Sequence, residues 1–485
     1  MRLEEVIDQL EIVSATADLK TEISGISYDS RKTEKGDLFV AIRGYETDGH
    51  RFIPKAIERN AAVILCEVPP EQEVPYIQVT DSRLALALCS CAFYGHPSSG
   101  MRMIGITGTS GKTSVSTLLK HVLEQTRGAK VGLIGTTGIQ IGDEEIPSEH
   151  TTPESLELQQ LFGRMAKEQC THVVMEVSSH ALELKRVAGI VFDTAVYTNL
   201  SQDHLDFHGT MEAYAAAKRR IFFQSREAWV NSDDPWTPYM TREVPCPIRS
   251  YGRSPEAELY AENISLHPDR VCFDAVYDGM PCKTMLHIPG AFSVSNALAV
   301  MAAAISDGIL LEESSDALAS AHGVKGRLES IPTDGNYHIL IDYSHKPDAL
   351  EKVLRSLRPS TTGRLICLFG CGGDRDRLKR PVMGKIAAEL SDLVILTSDN
   401  PRTEDPERII DEIEPGLAES DTPRIRISDR IEAIHRAIDL ARDGDVILLA
   451  GKGHEDYQIV GHEKHHMDER EIVAGYLRER ETKKL

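Results

Sequence analysis

Four apolar runs in the last third of the chain each break off in a polar cluster, and this repetition constrains the fold more than any other feature. They read HILIDYSHKPD, RLICLFGCGGDRD, DLVILTSDNPR and DVILLAGKGHE. Short apolar runs bounded by Gly, Pro and charged residues are strands, and their alternation with helical stretches predicts α/β architecture with mainly parallel sheets. In an open parallel sheet, ligands bind outside the carboxyl ends of the strands. Any α/β protein needs turn residues there. Four clusters rich in Asp, His, Arg and Lys favour a ligand site over simple turns.

A second pattern opens the middle of the chain. Residues 103–119 read MIGITGTSGKTSVSTLL: a strand, a turn holding Gly108 and Gly111, then Lys112-Thr113-Ser114. Val115, Leu118, Leu119 and Val122 follow at i, i+3, i+4 and i+7, so a helix starts directly after the turn. This is the context of a phosphate-binding loop. Backbone N–H groups and the helix N-terminus hold the phosphates, Lys112 reaches their outer oxygens, and a hydroxyl coordinates Mg²⁺. The usual first glycine of that motif is displaced, because the residue five before Gly111 is Ile106. Strand, turn and helix in order still point to a nucleoside triphosphate.

At 485 residues the chain is long enough for two or three domains. Three blocks are visible. The first covers 1–100, carries short strands such as DLFVAI and AAVILCE, and closes on the breaker cluster His96-Pro97-Ser98-Ser99-Gly100. The second covers 101–326, and the third covers 327–485. The expected fold is α/β with mainly parallel sheets, the middle block carrying the phosphate loop.

Composition mostly excludes. With 54 Lys and Arg against 75 Asp and Glu, the net charge is −21, which argues against nucleic acid or anionic lipid as partners. The nine cysteines form no CxxC, so neither a disulfide framework nor a zinc knuckle is expected. The N-terminus, MRLEEVIDQLEIV, lacks the basic start and apolar core of a signal peptide, and no apolar stretch is long enough for membrane insertion. A soluble cytoplasmic protein is expected.

In the middle block, HVVMEVSSH places Glu176 inside a strand that reads as buried. An unpaired buried carboxylate is expensive, so Glu176 is expected to meet a cation, and nucleotide-bound Mg²⁺ is the natural one. An edge strand with a solvated Glu is the plainer alternative. TNLSQDHLDFH packs Asp203, His204, Asp206 and His208 into six positions; a metal site and an ordinary helix cap fit it equally. Lys218, in YAAAKRR, reads by itself as a solvated helix lysine.

Together GTSGKTS, EVSSHAL, TNLSQDHLDFH, SVSNALA, GRLE, DYSHKPD, GCGGDRD, DNPR and GKGHEDYQ occur in an order that resembles the Mur ligases over essentially the whole chain. The resemblance implies three domains: a smaller N-terminal α/β domain over 1–100, a central P-loop ATPase with a mainly parallel sheet over 101–326 and a Rossmann-like C-terminal domain over 327–485. It also implies ATP-dependent amide formation. A substrate carboxylate attacks the γ-phosphate of ATP, and the incoming amine displaces phosphate from the acyl phosphate. It places Gly108, Thr109, Ser110, Gly111, Lys112, Thr113 and Ser114 on the ATP phosphates, with Asn296, Arg327, Asp342 and His345 on the nucleotide side and Tyr343 in the same motif. It places Thr113 and Glu176 on Mg²⁺ and His204 near a second Mg²⁺, and it makes Lys218 a carbamylated lysine whose carboxylate binds metal. Ser30, Thr151, Thr152, Ser178 and Arg186 match contacts to UDP-MurNAc-L-Ala-D-Glu, and a bidentate guanidinium suits a substrate carboxylate. Leu184 departs from the pattern, since some relatives carry a glutamine there.

The DNPR segment resembles the meso-diaminopimelate-adding branch. Diaminopimelate differs from lysine by a second carboxylate, and a fixed Arg fork such as Arg402 is its natural reader. Arg375, Asp399, Asn400, Pro401, Gly451 and Glu455 complete the implied amino-acid site, with Glu455 suited to the distal ammonium. The alternatives are the same ligase using L-lysine, against which Arg402 argues, and a folylpolyglutamate synthetase, against which the DSR and DNPR segments argue. A non-catalytic P-loop switch is the third, and it would not need Glu176, His204, Lys218 and four polar strand ends together.

Overall fold

A computed structural model describes residues 1–44, 47–142, 144–148, 150–321 and 323–484. The chain divides into two compact units, 1–251 with 302–308, and 252–301 with 309–485.

In the first unit, β1 (Ile12–Ala15), β2 (Gly25–Ser27), β3 (Asp37–Val40), β4 (Val63–Cys66) and β5 (Tyr76–Val79) form a sheet in the order β1-β5-β4-β3-β2. Only β1 runs antiparallel to its neighbour. Its centre is wholly buried, as the runs DLFV and VILC require of a sheet covered on both faces.

The larger sheet of this unit contains β6 (Arg102–Thr107), β7 (Val131–Gly135), β8 (Gly138–Ile141), β9 (Glu144–Ile146), β10 (His172–Glu176), β11 (Phe192–Tyr197), β12 (Ser225–Asn231) and β13 (Ile248–Gly252). Their order is β13-β12-β11-β6-β10-β7-β8-β9, parallel from β13 to β7 and closed by an antiparallel hairpin. Register aligns the strand ends that matter: Glu176 lies beside Ile106, and Tyr197 beside Thr107. The loops after β6, β7, β10 and β11 therefore open on one edge, where an α/β sheet places its ligands. The helix Lys112–Arg127 returns from β6 and buries Val115, Leu118, Leu119 and Val122, the face expected from their spacing.

The second unit holds the antiparallel meander β14 (Leu259–Leu266), β15 (Val271–Tyr277) and β16 (Met280–Leu286). It also holds a sheet of β17 (Glu329–Ile331), β18 (His338–Asp342), β19 (Leu365–Phe369), β20 (Leu393–Leu396), β21 (Arg424–Arg426) and β22 (Val446–Ala450), in the order β17-β18-β22-β19-β20-β21. β18, β19, β20 and β22 are the four apolar runs, and they pair in parallel. A short hairpin of β23 (Tyr457–Val460) and β24 (Glu463–His466) follows.

Among the described residues the nine cysteines are all free, and no helix is long and apolar enough to cross a membrane.

Candidate active site

The turn between β6 and the helix Lys112–Arg127 is shaped by two glycines in the left half of conformational space, Gly108 at φ 148° and Gly111 at φ 86°. A side chain at Gly108 would stand 2.0 Å from Thr198 Oγ1, so the loop can close on the end of β11 only without one. Ser110 N donates to Asn199 Oδ1 at 3.0 Å, and Thr198 Oγ1 donates to Ser110 O at 2.7 Å. The loop after β11 thus holds the phosphate loop open at the helix N-terminus. Lys112 Nζ folds over the turn, 2.8 Å from Gly108 O and 2.9 Å from Thr109 O.

Glu176 ends β10 beside this turn and is only 1% exposed. Its carboxylate accepts from Thr113 Oγ1 at 3.1 Å, Thr136 N at 2.9 Å and Thr136 Oγ1 at 3.1 Å. β10 is central and not an edge strand, which removes the solvated alternative. Hydroxyl and amide donors satisfy the carboxylate here, so the cost of burial is met within the chain. A carboxylate and a hydroxyl 3.1 Å apart beside a phosphate loop form the hard, oxygen-only donor set that Mg²⁺ prefers, so these residues fit that ion. Close approach is again secured by a glycine, since a Cβ at Gly135 would meet Glu176 Oε1 at 2.4 Å.

Lys218 corrects the reading of its helix as solvated. Tyr214, Ala215, Ala217 and Lys218 form the buried face of the helix Met211–Arg219, and Lys218 is 1% exposed. Its Nζ donates to Gly108 O at 2.8 Å, the same oxygen that Lys112 Nζ contacts at 2.8 Å. Burial pushes the ammonium well below the usual lysine range; nearby Lys112 adds to this, and Asp203 opposes it. The Tyr214 ring centre lies 4.7 Å from Lys218 Nζ, and its hydroxyl is 3.1 Å from Thr109 Oγ1.

The polar segment after β11 takes a capping form. His204 sits at φ 52° ahead of the short helix Leu205–His208, and its N–H donates to Asp203 Oδ1 at 2.9 Å. His180, from another segment, joins the cluster with its ring 4.8 Å from that of His204 and 5.5 Å from that of His208. His208 Nε2 lies 2.9 Å from Ser179 Oγ, and burial lowers its pKa to about 4. Among the described residues, no three His, Cys, Asp or Glu side chains are grouped to hold a metal.

Four of the five expected muramoyl-peptide residues lie along the same edge. Thr152 Oγ1 donates to Glu176 O at 2.8 Å, and Ser178 N donates to Thr152 Oγ1 at 3.1 Å. Thr151 Oγ1 is 3.0 Å from Thr136 Oγ1. Arg186 Nη1 donates to Thr152 O at 2.9 Å, and its Nε is 3.3 Å from Glu154 Oε2. Ser178 also caps the helix Ser179–Glu183, whose C-terminal cap is Leu184. Ser30 is buried in the loop after β2, next to the Asp29–Arg31 ion pair.

In the second unit the four strand ends meet in one pocket of about 800 Å³. Tyr343 and His345 come from the end of β18, Arg375 from the loop after β19, Asp399, Asn400 and Arg402 from β20, and Gly451 and Glu455 from β22. Pro401 fixes the turn, where its carbonyl accepts from Glu404 N at 3.1 Å. Arg402 Nη1 donates to Gly373 O at 2.8 Å, so this side chain braces the neighbouring loop as well as lining the pocket. Gly451, at φ 115°, has Asp399 Oδ2 2.7 Å from where a Cβ would stand. Asp342 is buried and its carboxyl is pushed up by desolvation, while its Oδ2 accepts from Leu328 N at 2.9 Å. The Arg327 guanidinium lies 5.3 Å from the Tyr343 ring centre, and Asn296 is buried on the helix Phe292–Ser306.

Among the described residues, three buried cations of this unit escaped the sequence reading: Arg380, Arg430 and Lys452. Arg380 is fully buried and makes paired bonds to Glu404, Nη1 to Oε2 and Nη2 to Oε1, each 2.9 Å, with Glu412 at 2.8 Å. Glu404 also accepts from Asp374 N, so the ion pair ties the GCGGDRD loop to the DNPR loop. Arg430 pairs with the buried Glu469 at 2.8 Å, and Lys452 is as buried as Arg380.

Three family models match the chain: Mur ligase family, catalytic domain, over residues 22–94; Mur ligase middle domain, over 106–304; and Mur ligase, glutamate ligase domain, over 326–453. The chain is 44% identical over 483 residues, 99% of its length and 100% of the relative's, to UDP-N-acetylmuramoyl-L-alanyl-D-glutamate–2,6-diaminopimelate ligase 1 of Clostridium acetobutylicum. It is 44% identical over 486 residues to the corresponding ligase of Clostridium botulinum, covering 99% of this chain and 100% of that one. A solved structure of a UDP-N-acetylmuramoyl-L-alanyl-D-glutamate–2,6-diaminopimelate ligase superposes with a TM-score of 0.78 at 33% identity, covering 99% of both chains.

Proposed function

Because the chain belongs to the Mur ligase family, we propose that it uses ATP to join meso-diaminopimelate to the D-Glu side-chain carboxylate of UDP-MurNAc-L-Ala-D-Glu, in cytoplasmic peptidoglycan precursor synthesis. The observation that carries the choice of amino acid is the pocket at the ends of β18, β19, β20 and β22. It sets two guanidinium groups, Arg375 and Arg402, together with the carboxylate of Glu455 around one space. A molecule with a carboxylate and an ammonium at its far end matches that set; lysine leaves the guanidinium side unused.

In this reading residues 1–100 hold the uridine nucleotide, 101–326 the ATP and 327–485 the amino acid. The loop from Gly108 to Ser114 presents its N–H groups and the helix N-terminus to the phosphates. Lys112 leaves its loop carbonyls to meet the outer oxygens. Thr113 and Glu176 are the residues that would hold Mg²⁺, which when bound neutralises charge on the phosphates. Arg186, braced by Glu154, orients the peptide carboxylate for attack on the γ-phosphate, and Thr151, Thr152 and Ser178 fix its approach. The bond from carboxylate oxygen to phosphorus forms as ADP leaves. The amine of the amino acid then forms the amide bond as phosphate departs, and both steps depend mainly on positioning and charge neutralisation. Asn296, Arg327, Asp342 and His345 serve the nucleotide.

Lys218 is carbamylated in this reading. Two ammonium groups on one carbonyl oxygen, in a buried site, repel each other. Adding CO₂ to the amine, with loss of a proton, would turn Lys218 into an anion, make its contact with Lys112 attractive, and supply a carboxylate able to hold a second Mg²⁺ near His204. A neutral amine is the form that adds CO₂, and burial favours that form. Coupled assay of phosphate release with both substrates present tests the reaction. Turnover that needs ATP alone, without the muramoyl dipeptide, would leave a nucleotide switch or an ATPase instead.

A further inference from the structure

Lys452 follows β22 directly and is fully buried beneath the amino-acid pocket. Its Nζ donates to Asn400 Oδ1 at 2.9 Å, to Glu455 Oε2 at 3.0 Å and to Tyr457 O. An ammonium has three protons, and these three acceptors come from three segments: the loop after β20, the loop after β22 and the strand β23. With its protons so placed, Lys452 has none to offer a substrate.

The consequence falls on its partners. Asn400 Oδ1 accepts a second bond from Ile459 N at 2.9 Å, which fixes the amide and aims Nδ2 at Glu455 Oε2, 2.9 Å away. Glu455 Oε2 is therefore held by two donors, one cationic and one neutral. Among the described residues Oε1 has no hydrogen bond of its own, and Glu455 lines the pocket. The carboxylate is locked through one oxygen and presents the other.

We propose that Lys452 is a positioning residue for amino-acid specificity: through Asn400 and Glu455 it aims Glu455 Oε1 at the distal ammonium of the incoming amino acid. This rests on the reading of the pocket as a diaminopimelate site. Without Lys452, three oxygens that now share one ammonium face one another, and Glu455 turns away from the pocket. The role is separate from that of Arg402, which reads the distal carboxylate. The two functions are therefore separable by substrate.

The test compares three amino acids in the full-length enzyme: meso-diaminopimelate, 2-aminopimelate, which lacks the distal amine, and L-lysine, which lacks the distal carboxylate. The unaltered enzyme is expected to prefer diaminopimelate over both. In Lys452→Met, the kcat/KM preference over 2-aminopimelate is expected to fall at least tenfold, while the preference over lysine and the KM for ATP stay within threefold. Glu455→Gln is expected to lose the same preference, and the double variant no more than either single one, because both act on one contact. Glu455 is only partly buried, so Lys452→Met leaves its carboxylate within reach of water. Should that variant still fail to fold, Lys452→Arg, which keeps the cation but carries its donors in a planar fork, is expected to lose the same preference. Retained preference over 2-aminopimelate, equal loss of both preferences, or additive losses in the double variant overturn the proposal. Failure of the unaltered enzyme to use diaminopimelate overturns the parent reading with it, and the unaltered enzyme alone reveals that case.

Discussion

Replacing Glu176 by glutamine separates what this carboxylate does for the fold from what it does for the reaction. Three hydrogen bonds reach it, from Thr113 Oγ1, Thr136 N and Thr136 Oγ1. The backbone donor is fixed, so the glutamine oxygen takes the place of Oε1, facing Thr136 N. Its amide nitrogen then faces the two hydroxyls, which rotate to accept. All three contacts survive in weaker, neutral form. Charge-assisted bonds exceed neutral ones by roughly 0.5–1.5 kcal/mol each, and relief from burying a charge offsets part of this, leaving a net cost of about 1 kcal/mol. For a unit of this size that lowers the melting midpoint by about 2–4 °C. The reaction loses far more, because a neutral amide is a poor Mg²⁺ ligand: kcat is expected to fall about 100-fold, and the Mg²⁺ concentration for half-maximal rate to rise. Thermal melting by circular dichroism and phosphate release across a Mg²⁺ titration read the two effects. A rate within threefold and an unchanged Mg²⁺ requirement would refute the assignment; a loss of folding as large as the loss of rate would show Glu176 to be structural.

Lys218→Ala is expected to abolish ligation, with no restoration by bicarbonate; in the unaltered protein a carbamate carbon signal is expected by NMR under labelled CO₂, and near-normal activity of the variant removes the carbamate. Arg402→Ala is expected to raise the KM for diaminopimelate about 10- to 100-fold and to narrow the preference over lysine, since a charged contact contributes roughly 1.5–3 kcal/mol; unchanged selectivity would place the reader of the distal carboxylate elsewhere. The Arg380 guanidinium lowers the Glu404 carboxyl from its ordinary 4.5 to about 2. A lowered carboxyl stabilises the folded state above its unfolded value, and this contribution disappears as pH falls from about 4.5 towards 2. Glu404→Gln should therefore flatten the acid-unfolding curve of the protein in that window, and an unaltered curve contradicts the coupling.

Local patterns were legible in the chain and long-range partnerships were not. The strand, turn and helix around Gly108–Thr113 follow from a buried apolar run, two glycines and a periodicity of 3.6, all within 20 residues or so. The convergence of the ends of β18, β19, β20 and β22 was legible because parallel strands put all their carboxyl ends on one edge. The burial of Lys218 was missed by spacing, although the signal existed: Tyr214, Ala217 and Lys218 lie at i, i+3 and i+4, the face that the helix turns inward. A lysine on that face was read as solvated because lysine normally is. Arg380 and Lys452 left less trace. Glu404 and Glu412 lie 24 and 32 positions from Arg380, and Asn400 lies 52 from Lys452, so no local pattern joins these pairs. The other partners of Lys452, Glu455 and Tyr457, are local but carry no signal of burial. His180 likewise meets His204 and His208 only through the alignment of β10 with β11 across β6.

Phosphate release from ATP in the presence of UDP-MurNAc-L-Ala-D-Glu, with meso-diaminopimelate compared against L-lysine, bears most directly on the whole. Turnover with diaminopimelate and little or none with lysine is expected from a pocket that pairs Arg402 with Glu455. Equal turnover with lysine would keep the ligase and contradict the role of Arg402, and no turnover with either amino acid would contradict the ligase itself.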